Sequence, residues 1–106
     1  SLRAATSWAS AHGFDAVVIG LADQPFVPSS AWAAVGTAPA SLATASFHGR
    51  RRPPVRLARP VWPLLPVDGD DGARVLMRRH PELVVEVPCE GDPTDIDTLE
   101  DLAPWN

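Results

Sequence analysis

The sequence predicts an α/β fold built on a mostly parallel sheet. Stretches with strand character alternate along the chain with stretches of helical character, the order typical of parallel sheets covered by helices. The clearest strand, DAVVIGL at residues 15–21, is apolar and β-branched almost throughout, as expected for a strand covered on both faces. The 106 residues of the chain fit one small domain.

The helices are identified by their apolar spacing and by the signals at their ends. Residues 1–12 carry an apolar stripe on one side and stop at Gly13. A second, short helix closes at Gly36. Residues 69–81 have an acidic start, a basic end and a proline stop, and residues 95–105 turn from a strand end into a helix.

The remaining elements are strands and turns. Residues 41–47 and 82–88 predict two more strands. The stretch GRRRPPVRLAR at residues 49–59 predicts a basic turn that enters a short strand, and PVWPLL at residues 60–65 predicts about one helical turn.

Composition excludes several classes of function. The formal net charge of −4 and the pI of about 5.1 argue against a surface that binds nucleic acid. No apolar run approaches the ~20 residues that span a bilayer. The one cysteine, Cys89, cannot form an internal disulfide, which favours a cytoplasmic protein. We therefore expect neither a nucleic-acid partner nor a membrane partner.

Acidic residues follow two of the predicted strands. Asp23 comes directly after the strand at residues 15–21, and Asp95 and Asp97 lie two residues apart at a later strand end. Ligands of open parallel sheets bind beyond the carboxyl ends of the strands, and carboxylate oxygens suit Mg²⁺. The sequence therefore predicts a magnesium site. Two plainer roles stay open, a turn acid before Pro25 for the first residue and helix capping for the other two.

Two further features have alternative interpretations. The guanidinium groups of Arg50–Arg52 match phosphate geometry and would suit an anionic acceptor, but the same run is also typical of a solvated basic turn. Cys89 is interpreted as a small buried residue rather than a nucleophile, because no histidine lies near it in the sequence.

Four segments carry a resemblance to a known family. They are LADQPFV, GRRRPPVRL, GDDGAR and VVEVP followed by DIDTLEDL, in this order. They resemble the C-terminal part of the nucleotidyltransferases related to molybdenum cofactor cytidylyltransferase and molybdopterin guanylyltransferase. The resemblance implies a Rossmann-like three-layer sandwich, with residues 1–106 as the C-terminal part of a single domain. The implied reaction joins an NTP, such as CTP or GTP, to a phosphorylated acceptor such as molybdopterin and releases pyrophosphate.

The resemblance also assigns roles to individual residues. Asp23 would be the catalytic residue that holds Mg²⁺ between the phosphates of nucleotide and acceptor, and Asp95 or Asp97 would complete the metal site. Gln24 and Pro25 would shape the turn beneath it. The remaining candidates for substrate binding lie near the nucleotide base and the acceptor: Ser1, Arg3 and Arg52.

Three departures separate the chain from the family pattern, the mildest being Thr98-Leu99-Glu100-Asp101 where members read Thr-Pro-Glu-Asp. Arg52-Pro53-Pro54-Val55 stands where members read Gly-His-Pro-Val, so any role of that histidine is absent. The Gly-rich loop that cradles the triphosphate does not occur in these 106 residues. We therefore expect the N-terminal half of the same protein as a partner, and no activity from this chain alone. The alternatives are a non-catalytic molybdenum-cofactor-binding or chaperone-like relative and a sugar-phosphate nucleotidyltransferase.

Overall fold

The computed structural model describes residues 2–20, 27–66 and 72–91. Within these ranges the α-helices are α1 (Leu2–Ala11), α2 (Ser29–Gly36) and α3 (Gly72–Arg79), and the strands are β1 (Ala16–Ile19), β2 (Leu42–Phe47), β3 (Arg50–Ala58) and β4 (Val84–Pro88). Two 3-10 helices, η1 (Arg59–Leu64) and η2 (Pro81–Leu83), precede α3 and β4. None of the helices in this part of the chain is long and apolar enough to cross a membrane.

Most of the predicted elements are confirmed, with ends that differ by at most three residues. The apolar stripe and Gly13 give α1, the run before Gly36 gives α2, and the two later strand predictions correspond to β2 and β4. The helix predicted for residues 69–81 is confirmed in part as α3. The helix predicted for residues 95–105 lies outside the described residues.

The sheet is mixed, so the prediction of a mostly parallel sheet holds only in part. Its strand order is β1-β3-β2-β4. Strand β3 runs antiparallel to both of its neighbours, whereas β2 and β4 pair in parallel. Among the described strands, β1, β2 and β4 therefore share one direction and β3 opposes them.

The segment predicted as a basic turn is the start of a central strand, and that prediction is wrong. Arg50–Arg52 belong to β3, while the chain reverses two residues earlier at His48 and Gly49. These two residues have φ values of 53° and 81°. Positive φ at both central positions is typical of two-residue hairpins, because such turns match the twist of the flanking strands. Local composition therefore predicted the reversal of the chain too late in the sequence.

Two prolines interrupt the pairing inside β3. Pro53 and Pro54 have no N–H and cannot donate to a neighbouring strand. The register between β2 and β3 shifts between Thr44 and Ala45, opposite this pair. The strand continues beyond the interruption, and Val55 pairs with residues of both β1 and β2.

Helices pack on both faces of the sheet. On one face, Leu42 and Leu57 are buried together with residues of α1, η1 and α3. On the other face, Phe47 packs with Ala31 and Val35 of α2. Full burial of one such aliphatic or aromatic side chain contributes about 1.5–3 kcal/mol. Strand β2 and most of β3 are buried because both faces of the sheet are covered there.

Candidate functional site

The candidate site is the end of the sheet at which the three co-directional strands finish. Strand β1 ends at Ile19, β2 at Phe47 and β4 at Pro88. Because β3 runs the opposite way, it begins at this same end with Arg50. Ligands of open α/β sheets bind outside the carboxyl ends of the strands, so this end is where chemistry is expected.

Most of the site residues predicted from the sequence lie outside the described residues. They are Ser1, Asp23, Gln24, Pro25, Asp95 and Asp97. In the ranges 2–20, 27–66 and 72–91, no cluster of three or more His, Cys, Asp or Glu side chains could hold a metal ion. The magnesium site therefore stays a prediction that depends on the segments following β1 and β4.

The three arginines at the start of β3 have different environments. Arg50 is exposed, and Arg51 places its Nε 3.2 Å from Oε2 of Glu86 on β4. Arg52 is 1% exposed, and its Nη1 donates to the carbonyl oxygen of Arg51 at 2.7 Å. This burial is inconsistent with a solvated turn. It also leaves the side chain of Arg52 without direct access to solvent.

Arg3 lies on the exposed side of the first turn of α1. Its carbonyl oxygen accepts a hydrogen bond from Oγ1 of Thr6 at 3.0 Å, which is a contact within the helix. The neighbouring Leu2 packs against Gly72, where an added Cβ would lie 3.1 Å from Cδ2 of that leucine. The described contacts thus tie the start of α1 to the start of α3 and leave the side chain of Arg3 at the surface.

Trp32 was not identified as a site residue from the sequence, but it lies next to the end of β1. Its indole ring packs on the main chain of Gly20, the residue that follows the strand. Trp32 is also 39% exposed, so part of its surface stays accessible. The sequence gives little indication of this contact, because Gly20 and Trp32 are twelve residues apart and no local pattern links them.

Cys89 also lies at this end of the sheet. Its main-chain N–H donates to the carbonyl oxygen of Ser46 at 2.8 Å, one residue beyond the last pair of β2 and β4. Burial raises the pKa of the Cys89 thiol, and the backbone hydrogen bond from Ser46 offsets this in part. A raised pKa favours the thiol over the thiolate at neutral pH. The side chain packs against the cluster that contains Phe47, but it is partly buried rather than fully buried as predicted.

Comparison with known proteins finds one relevant similarity. The chain is similar to the purine catabolism protein PucB of Bacillus subtilis (strain 168), with 37% identity over 98 residues. The match covers 88% of this chain and 48% of PucB, so the chain spans about half the length of this relative. No family model matches the chain, and no solved structure matches it significantly.

Proposed function

We propose that the protein is a Mg²⁺-dependent nucleotidyltransferase. It would join CTP or GTP to a phosphorylated acceptor such as molybdopterin and release pyrophosphate, with residues 1–106 as the C-terminal part of a Rossmann-like three-layer domain. The observation that carries the proposal is the shared direction of β1 and β4. The chain leaves both strands at the same end of the sheet, towards Asp23 in one case and towards Asp95 and Asp97 in the other.

The spacing of the strands is compatible with a single metal site. Strands β1 and β4 are separated by two others, so their axes lie about 14 Å apart. Asp23 follows Gly20 by three residues and Asp95 follows Gly91 by four, which allows the chain to reach about 11 Å and about 14 Å from these glycines. The two segments are together long enough to bridge the gap. Carboxylate oxygens are also the ligands that Mg²⁺ prefers.

The proposed reaction is a displacement at phosphorus. An oxygen of the acceptor phosphate attacks the α-phosphorus of the NTP, the bond from that phosphorus to the bridging oxygen breaks, and pyrophosphate leaves. Bound Mg²⁺ supplies neutralisation of charge on the phosphates. Asp23 would hold the ion together with Asp95 or Asp97, and the other side chains of this site would position the substrates.

Positive charge at the same end of the sheet supports anionic substrates. Arg50 is exposed at the start of β3, and Arg52, two residues later in the same strand, is buried. In the proposal these two groups attract the phosphorylated acceptor. Gln24 and Pro25 shape the turn that carries the catalytic aspartate, and Ser1 and Arg3 contribute near the nucleotide base.

The similarity to PucB supports the proposal in two respects. The match spans most of the residues over which the chain resembles the nucleotidyltransferases. The name of PucB refers to purine catabolism, and we propose this as the cellular role of the protein. A sugar-phosphate acceptor is the alternative within the same chemistry.

A non-catalytic cofactor-binding protein is the second candidate function, and one observation favours it. The position of the family histidine is occupied by Pro53, which is fully buried within β3. No acid–base or metal-binding group can act from that position. In this alternative the same end of the sheet binds a molybdopterin-like ligand without turnover.

The test is pyrophosphate release by the full-length protein with CTP or GTP, Mg²⁺ and a molybdopterin acceptor. We expect turnover by the natural protein and a loss of at least about 100-fold in Asp23→Asn, because the isosteric amide removes a charge on which phosphoryl transfer depends. Glu82→Gln is the matched control, since Glu82 is exposed on η2 and lies outside the proposed site. Acceptor binding without turnover would favour the second candidate, and equal activity of Asp23→Asn and Glu82→Gln would contradict the assignment of Asp23.

A further inference from the structure

A second concave surface lies at the end of the sheet opposite the candidate active site. An open groove of about 630 Å³ is lined by Asp15, Arg56 and residues 39–41 and 58–60. Asp15 precedes β1, and residues 39–41 lead into β2. The groove therefore lies at the amino-terminal ends of these strands. Its volume falls within the range of about 300–1,000 Å³ that is usual for small-molecule sites.

Arg56 places a fixed guanidinium group in this groove. Its Nε donates to the carbonyl oxygen of Ala40 at 2.9 Å, and its Nη1 donates to that of Gly36 at 2.8 Å. Both carbonyls belong to the end of α2 or to the segment after it, where the helix dipole favours a cation. Among the described residues, no acceptor engages Nη2 of Arg56. The side chain is thus held in place while N–H groups stay available to a ligand.

Arg59 contributes a second fixed guanidinium group. Its Nη1 donates to Oγ of Ser10 at 3.0 Å, its Nη2 donates to the carbonyl oxygen of Phe14, and its Nε lies 3.6 Å from Oδ1 of Asp15. The guanidinium also lies 5.0 Å from the ring centroid of Trp62. These contacts hold the side chain of Arg59 in one conformation before a ligand binds, so less side-chain entropy is lost on binding.

The charges and walls of the groove define the ligand it fits. Two arginines and one aspartate give a formal charge of +1, which a single negative charge balances. The other lining residues are Pro39, Ala40, Ser41, Ala58 and Pro60, four of which have apolar side chains. We propose that the groove binds a small organic monoanion, a carboxylate on a compact apolar body. The carboxylate would accept from Nη2 of Arg56, the nitrogen that no described acceptor engages, and the positive charge of Arg59 would strengthen binding.

The test uses benzoate as the probe and benzamide as its uncharged isostere, titrated into the full-length protein at low ionic strength. Binding is followed by NMR through the amide signals of residues 39–41 and 58–60. We expect benzoate to bind at least about tenfold more tightly than benzamide, which corresponds to one charge-assisted hydrogen bond. The Asp15→Asn variant should bind benzoate more tightly, because it removes the negative charge from the groove.

Three variants locate the probe. Arg59→Gln should weaken benzoate binding about fivefold or more, whereas Arg79→Gln should leave it unchanged, because Arg79 is exposed on α3 and does not line the groove. Ser41→Trp keeps both arginines and fills the groove, so it should block binding. Equal affinity for benzoate and benzamide, equal effects of Arg59→Gln and Arg79→Gln, or full binding by Ser41→Trp would each overturn the proposal.

Discussion

The indole ring of Trp32 packs directly on the main chain of Gly20, so closely that no Cβ can be accommodated at position 20 without displacing the ring. This contact fixes the first half of α2 against the end of β1. The same strand end leads to the segment that carries Asp23. The packing of Trp32 on Gly20 therefore fixes the position from which the chain continues towards Asp23, the proposed catalytic residue.

Gly20→Ala should destabilise the fold by about 1–3 kcal/mol, because the added Cβ would overlap the indole ring of Trp32 and force it to move. Urea unfolding of the full-length protein measures this change. Gly36→Ala is the matched control, because its Cβ would meet Cγ2 of Val18 at 3.7 Å, an ordinary contact distance. Combining Gly20→Ala with Trp32→Leu should restore part of the lost stability. A Gly20→Ala protein as stable as Gly36→Ala would contradict the described contact.

The hairpin between β2 and β3 gives a second prediction, since Gly49 has a φ of 81°. Gly49→Ala should cost about 1 kcal/mol, because a Cβ disfavours positive φ. No atom lies within 4 Å of the added Cβ, so the cost is in the backbone and not in packing. His48→Asn should be neutral or stabilising, because asparagine tolerates the left-handed region. Thermal unfolding compares the two variants, and a larger loss for His48→Asn would show that the turn is misassigned.

Arg56 gives a third prediction because it joins β3 to the end of α2. Arg56→Met should destabilise the protein by about 1.5–3 kcal/mol, through loss of the hydrogen bonds from a cation to Gly36 and Ala40. Arg79→Met, at an exposed position on α3, should change stability by no more than about 0.5 kcal/mol. Chemical unfolding at two salt concentrations checks both values. Equal effects of the two substitutions would argue against a structural role for Arg56.

The open side of β1 leads to a fourth prediction. Within the described strands, β1 pairs with β3 on one side and with no strand on the other. Unpaired strand edges recruit other chains, and Trp8 and Phe14 add exposed aromatic surface nearby, at 58% and 52% exposure. We expect isolated residues 1–106 to self-associate and to lack NTP turnover, as measured by light scattering and pyrophosphate release. A stable monomer that consumes NTP would refute both expectations, and an inactive stable monomer would refute the first.

Local sequence signals were sufficient for the three described α-helices and for three of the four described strands. They failed at Arg50–Arg52, because consecutive arginines followed by prolines resemble an exposed turn, whereas pairing with β2 makes the segment the start of β3. The direction of β3 could not be deduced either, since a two-residue hairpin at His48 leaves little local trace beyond Gly49.

The candidate site was predictable only as far as strand ends can be recognised. Apolar runs followed by acidic residues predicted a site beyond β1 and β4, and the acidic residues themselves lie outside the described residues. Contacts between distant residues could not be deduced, as the packing of Trp32 on Gly20 and the ion pair of Arg51 with Glu86 illustrate. Such contacts depend on the strand order, which the sequence pattern leaves open.

The central claim is that the two acidic segments form one metal site. Its most direct test is a crystal structure of the full-length protein with Mn²⁺ in place of Mg²⁺ and a bound nucleotide. Anomalous scattering identifies the ion without reference to its ligands. We expect one Mn²⁺ bound by a carboxylate oxygen of Asp23 and by Asp95 or Asp97, directly or through one water. Carboxylate oxygens of Asp23 more than about 8 Å from those of both Asp95 and Asp97 would contradict the claim, since metal–oxygen distances near 2.1 Å cannot bridge that gap.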